Sequence, residues 1–254
     1  MPEGSPAVVA IFGPTGVGKT AVAIALADRL RARGGEAVAI GADALQVYEG
    51  LGALTGAAGP EDRKRLEHRL VGFVPITEKF DVGRYMPLAH AEVDAAVAAG
   101  RTPIVVGGTG LYMRAALAEL SLRPARPGEE SELWAPDTRH PSLVVGLNMD
   151  RAALYERIDR RVDEIVARGA REEVLAADAA GASHTARKAL GFEELLDGDV
   201  DGMRKRSRNY ARRQLTWMRK VHSLHEIDVT GRTPEEVAEE IDRLLTASQR
   251  APSG

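Results

Sequence analysis

The stretch GPTGVGKT, residues 13–20, follows the apolar run AVVAIF (7–12) and precedes AVAIALADRLRARG (21–34). Its spacing is Gly-x-x-x-x-Gly-Lys-[Ser/Thr], set between a buried strand and a helix start, which is where that spacing acquires physical meaning. Backbone N–H groups between Gly13 and Lys19 converge there on phosphate oxygens, Lys19 adds a positive charge, and Thr20 offers a hydroxyl to Mg²⁺. Gly13, Pro14, Thr15, Gly16, Val17, Gly18, Lys19 and Thr20 form the expected phosphate cradle. A glycine-rich turn without a ligand is the alternative.

Outward from the cradle, strands alternate with helices. EAVAIGA (36–42), TPIVVGG (102–108) and SLVVGLNM (142–149) read as further buried strands, and YMPLAHAEVDAAVAAG (85–100) and LYMRAALAEL (111–120) as helices. A shorter helix is expected to end in LEHRLVGFV (66–74). This alternation predicts an α/β fold, a P-loop NTPase-like parallel sheet flanked by helices. From Arg151 the pattern turns helical: RAALYERIDRRVDEIVARG, REEVLAADAAG and DGMRKRSRNYARRQLTWMRKVH. A core over residues 1–221 is expected, with a linker at 122–141 rich in proline and charge, and a C-terminal strand, helix and disordered tail over 222–254. The last helix is expected to be capped near Thr233.

Composition narrows the class. With 254 residues and 44% hydrophobic content the chain can bury a substantial core, and zero cysteines exclude disulfides, thiolate metal sites and a cysteine nucleophile. The N-terminus has no leader pattern and no apolar run is long enough to span a bilayer, so a cytoplasmic protein without membrane contact is expected. The six histidines show no metal-ligand spacing. A net charge of −3 excludes no partner, because clustering of basic residues decides polyanion binding.

They do cluster. RKRSRNYARRQLTWMRK (204–220) contains no acid and interleaves Tyr210 and Trp217. On a helix Arg206, Asn209, Arg213 and Lys220 share a face, with Arg212 and Arg219 nearby, which points to nucleic acid; a solvated surface helix is the alternative. After the second strand, Asp43, Gln46 and Tyr48 form a hydrogen-bonding group suited to a base or nucleoside, where the alternative is an Asp N-cap with surface polar neighbours. In GGTGLYMRAAL (107–117) the paired glycines allow close backbone approach to a ligand and Thr109 offers a hydroxyl; a tight turn would look the same. Arg157 and Arg161, four apart, share a helix face from which a guanidinium can reach the cradle, unless they pair with Asp159 and Asp163. The strand PIVV carries no carboxylate at its end, unlike phosphoryl-transfer enzymes that activate water.

GPTGVGKT, DALQVYEGL, VVGGTGLYMRAAL, LYERIDRRVDEIV, RKALGFEEL and YARRQLTWMRK occur in the order seen in bacterial tRNA dimethylallyltransferases, also called tRNA isopentenyltransferases, and the resemblance runs from residue 7 to about 221. It implies transfer of a dimethylallyl group from dimethylallyl diphosphate to N6 of an adenosine beside the tRNA anticodon, with Mg²⁺ as cofactor, the tRNA anticodon loop as partner and a monomeric enzyme. Residue by residue, Asp43 matches the general base, Lys19, Thr20 and Arg161 the groups that neutralise diphosphate, and Thr109 a position touching donor phosphate and incoming nucleotide. Asp43, Ala44, Leu45 and Gln46 match the segment that reads the flipped base. Arg187, Lys188 and Gly191, and Arg212, Arg213, Gln214, Thr216, Trp217 and Arg219, correspond to surfaces that grip tRNA.

The chain departs from the family pattern twice. The linker 122–141 stands where the family has a helical insertion that clamps the anticodon stem, and LTGAAGP (54–60) replaces a Gly-Thr-Ala-Lys-Pro stretch near the acceptor. The lost insertion keeps a free-nucleotide prenyltransferase open, and the cradle alone keeps open a small-molecule kinase or an inactive RNA-binding relative.

Overall fold

The computed structural model describes residues 7–122, 137–221 and 224–248. Six parallel strands form one sheet in the order β3-β2-β4-β1-β5-β6, where β1 is Val8–Phe12, β2 Ala37–Gly41, β3 His68–Arg69, β4 Thr102–Gly107, β5 Ser142–Asn148 and β6 Leu224–Asp228. Central β1 is buried along its whole length, as expected of a VVAIF strand covered on both faces. Its side chains alternate: Val8, Ala10 and Phe12 join one core layer, and Val9 and Ile11 the other. Helix α1 (Lys19–Ala32) and the last helix, α10 (Pro234–Ser248), cover the second layer, tied by the buried Asp242 to Arg33 at 2.5 Å. The first layer lies under α4 (Val82–Ala98), α5 (Gly110–Leu117) and the helices beyond β5.

Connections leaving β1 and β4 run in opposite directions, since β1 leads past β4 to β2, and β4 leads past β1 to β5. The crevice at their carboxyl ends is where sheets of this kind bind ligands. Beyond β5 come α6 (Arg151–Ala167), α7 (Ala170–Ala179), α8 (Phe192–Leu196) and α9 (Val200–Met218). Asp150 caps α6 by accepting from the N–H groups of Ala152 and Ala153, and Asp199 caps α9 by accepting from Gly202. At α10, Thr233 and Glu236 exchange side chain-to-backbone hydrogen bonds, the capping box expected near Thr233.

The expected helix through LEHRLVGFV is not formed. After α2 (Gly52–Thr55), α3 (Pro60–Arg65) ends early and Leu66 turns to extended backbone. His68 and Arg69 then pair with Ala39 and Ile40 as β3, and Val74 bridges Tyr48. The open edge of β2 supplies hydrogen-bond partners that no local pattern announces, and burial of Leu66, Val71 and Val74 rewards the extended form. The expected strand in 222–254 is β6, which joins the common sheet beside β5. Most of the linker, 123–136, and the tail from 249 lie outside the described residues; Arg139 returns to donate its N–H to the Leu117 carbonyl.

Candidate active site

The cradle leaves β1 at Gly13, where a Cβ would stand 2.9 Å from the Leu147 carbonyl oxygen of β5. Gly16 and Gly18 adopt φ of +82° and +100°, open to glycine at little cost, and so turn the loop into α1. α6 packs directly against it: a Cβ on Gly16 would meet Ile158 Cγ1 at 2.9 Å, and one on Gly18 would meet Arg157 Nη2 at 3.2 Å. Lys19 Nζ donates to the carbonyls of Gly13 (3.0 Å) and Pro14 (2.9 Å). Burial pushes this ammonium down to about 8, with Asp43 acting upward and Arg161 downward.

Asp43 sits two residues beyond β2. Its Oδ1 accepts the N–H of Leu45 at 2.9 Å and of Gln46 at 3.4 Å, so the carboxylate fixes the turn that carries it. Asp43 therefore caps its turn, the alternative open to it in sequence, and also lines the cleft. Gln46 Nε2 and Arg161 Nη2 converge on the Thr55 carbonyl at 3.3 and 3.1 Å. The Arg161 guanidinium, lowered by burial, rests over Gly56, whose φ is +58° and whose Cβ would lie 2.7 Å from Cζ. Among the described residues, Arg157 and Arg161 make no ion pair with Asp159 or Asp163. Those acids bind α9 instead, Asp159 to Arg208 at 2.7 Å and Asp163 to Arg204.

These groups surround a cleft of about 360 Å³ that includes Thr15, Gly16, Gly18, Lys19, Thr20, Asp43, Leu45, Gln46 and Arg161. Part of its wall is apolar, from Leu54, Ile158, Val162, Ile165 and Met203, residues that in sequence read only as core positions. Tyr210 also faces it, its phenol pushed up to about 12 by burial and the Asp43 charge. Glu173 is equally silent in sequence: its two oxygens accept the N–H groups of Ala53 and Leu54, both at 2.9 Å, and anchor the short α2 that forms the cleft edge.

Several expectations need correction. Tyr48 is 2% exposed and bonds Thr185 Oγ1 at 2.5 Å, so it belongs to the core and not to a base-binding group. The glycines that end β4 and follow it make room for protein side chains and backbone. A Cβ on Gly107 would strike the Ala42 carbonyl, one on Gly108 the Gln214 amide, and one on Gly110 the Trp217 ring. Thr109 Oγ1 is buried beside the Tyr210 phenol of α9 and does not line the cleft.

The expected RNA surface divides in the same way. Gln214 and Gly191 are buried, and Gly191 lies under the Met203 side chain. Arg187 pairs with Asp178 and Glu193 and lies over the Phe192 ring at 5.0 Å. On α9, Arg204, Arg206 and Arg208 are held by acids of the same molecule, with Arg206 on Glu194 at 2.8 Å. Lys188, Arg212, Arg213, Thr216 and Arg219 are exposed, Trp217 is half-buried, and Ala44 stands beside the cleft without lining it.

Known proteins are similar to this chain in sequence and fold. A family described as IPP transferase matches residues 46–140 and 128–221, and one described as isopentenyl transferase matches residues 6–78. A tRNA dimethylallyltransferase of Limosilactobacillus fermentum is 30% identical over 305 aligned positions, covering 94% of this chain and 97% of the relative. That of Caulobacter sp. (strain K31) is 35% identical, covering 84% and 89%. The crystal structure of the tRNA isopentenylpyrophosphate transferase from Bacillus halodurans superposes with a TM-score of 0.81 at 27% identity, covering 96% of this chain and 98% of that one. The first alignment has more positions than this chain has residues, in keeping with a shortened linker. Matched by these family models over most of its length and at least 30% identical to full-length relatives, the chain belongs to the tRNA dimethylallyltransferase family.

Proposed function

We propose that this chain transfers the dimethylallyl group of dimethylallyl diphosphate to N6 of an adenosine next to the anticodon of tRNA and releases diphosphate. The observation that carries the proposal is one cleft walled both by phosphate-binding groups and by Leu54, Ile158, Val162, Ile165 and Met203, with Asp43 opening into it. Phosphates alone have no use for the apolar wall; a hydrocarbon tail does.

In the reaction the allylic C–O bond breaks and its electron pair stays on the diphosphate oxygen. The N6 lone pair forms the new C–N bond, and the N6 proton passes to Asp43, whose Oδ2 makes no hydrogen bond among the described residues. Lys19 and Arg161, with the loop N–H groups, stabilise the charge growing on the leaving group. For this, Arg161 exchanges the Thr55 carbonyl for a phosphate oxygen. The apolar wall holds the tail and keeps water from the allylic carbon.

Mg²⁺ fits the residues present: Thr20 lines the cleft beside Lys19 with a hydroxyl that makes no hydrogen bond among the described residues. When bound, the ion supplies further neutralisation of diphosphate. Among the described residues no helix is long and apolar enough to cross a membrane.

The shortened linker favours one further reading, a free adenine nucleotide as acceptor. Incubating the chain with tail-labelled dimethylallyl diphosphate and either unmodified tRNA or AMP separates the two. Label in N6-substituted adenosine from tRNA is expected. Label in AMP alone would reject tRNA as acceptor, and no label from folded protein with either would reject the transfer.

A further inference from the structure

Gln214 lies near the C-terminal end of the helix whose composition reads as an RNA grip, yet it is only 5% exposed. Both ends of its amide are taken. Oε1 accepts the N–H of Thr15 in the phosphate loop at 2.8 Å, and Nε2 donates to the Gly108 carbonyl after β4 at 2.7 Å. The two bonds fix the amide's orientation, because the loop offers a donor and the β4 end offers an acceptor. Methionine would fill the space and leave both backbone groups unpaired in a buried place, and glutamate would set an acceptor against an acceptor.

The geometry also explains the glycines. Gly108 has no room for a Cβ because the Gln214 amide occupies that volume, 2.2 Å away, with the Gly13 carbonyl next at 3.1 Å, and Gly110 has none because the Trp217 ring does. α9 thus presses on the loop after β4 with two side chains and reaches the cradle with one of them. From α6, Ile158 abuts Gly16. The loop is therefore held between two helices, and among the described residues the N–H groups of Gly16, Gly18, Lys19 and Thr20 are left for an anion, since that of Thr15 is satisfied by Gln214 and that of Val17 by the Pro14 carbonyl at 3.4 Å.

We infer that Gln214 is a positioning residue that braces the phosphate loop against the loop after β4, and is not an RNA contact. The inference rests on the reading of residues 13–20 as the diphosphate cradle. It is tested by titrating the full chain with inorganic diphosphate plus Mg²⁺, and separately with an anticodon stem-loop RNA. The proteins compared are the unsubstituted chain, Gln214→Met and Gly108→Ala; the last displaces the amide without altering α9.

Both variants are expected to lose roughly tenfold or more in diphosphate affinity, the cost of leaving one or two buried backbone groups unpaired. RNA affinity is expected to stay as in the unsubstituted chain, which also verifies folding. Weakened RNA binding with diphosphate binding intact, unchanged binding of both, or a parallel fall in both affinities would overturn the inference. An unsubstituted chain that binds RNA but no diphosphate would instead remove the cradle reading, and this inference with it.

Discussion

Gly56→Ala is a direct probe of Arg161, because the perturbation and its size can be worked from geometry. The new methyl would stand 2.7 Å from Arg161 Cζ, and closer still to Nη2. Ordinary carbon contacts begin near 3.5 Å, so the guanidinium must retreat by about 1 Å and give up its 3.1 Å bond to the Thr55 carbonyl. A displacement of about 1 Å in a positioned catalytic group costs roughly 100-fold in rate. The φ of +58° adds a left-handed penalty of about 1–2 kcal/mol in stability for a residue with a Cβ. Gly50→Ala isolates that penalty: Gly50 has φ +76° and nothing within 4 Å of where a Cβ would stand, so it carries the strain without the clash. Single-turnover prenyl transfer and denaturant unfolding, run on both variants, should show similar losses of stability and a large loss of rate only for Gly56→Ala. Equal rates for the two alanine variants would refute a role for Arg161 at the diphosphate.

Asp43→Asn retains an oxygen for the Leu45 N–H and removes the base, so kcat should fall about 100- to 10,000-fold while the dissociation constant for dimethylallyl diphosphate stays put; an effect confined to donor affinity would contradict the assignment. Replacing Arg212, Arg213 and Arg219 by alanine together should lower the slope of log affinity for RNA against log salt by about 2, at roughly 0.7 per phosphate contact with single strands, whereas Arg204, Arg206 and Arg208, already neutralised by acids of the same chain, should contribute little to it. For Lys19 the sign is fixed by burial: its charge is complete well below its value of about 8 and is lost as pH rises through it. A bound dimethylallyl diphosphate raises that value again, so binding should weaken above pH ~8 with uptake of a proton, visible by calorimetry in buffers of different ionisation enthalpy, and absent in Lys19→Met.

Local pattern carried the elements that local physics decides. VVAIF, AVAIG and LVVGLN are continuous apolar runs, and buried parallel strands demand that; the cradle declares itself because its glycines, lysine and threonine are adjacent. What stayed hidden depends on partners far away in the chain. The two-residue β3 exists only because β2 offers an open edge, so His68 and Arg69 look helical until paired. Asp159 and Arg208 are 49 residues apart, Glu173 and Ala53 are 120 apart, and neither pairing leaves a local trace. The apolar wall of the cleft is built from residues with the same helical spacing as any core face, Ile158, Val162 and Ile165 among them. GGTG was legible as a place of close approach, but what approaches is the amide of Gln214 and the ring of Trp217, brought there by a helix about a hundred residues later.

Which part of the donor is handed over separates prenyl transfer from phosphoryl transfer. Dimethylallyl diphosphate labelled with one isotope in the carbon tail and another in the phosphorus head, incubated with this chain and unmodified tRNA, answers that in one reaction. Tail label in adenosine with all head label released as inorganic diphosphate is the predicted result. Head label in the RNA, or terminal phosphate delivered from ATP while the allylic donor is left untouched, would contradict it.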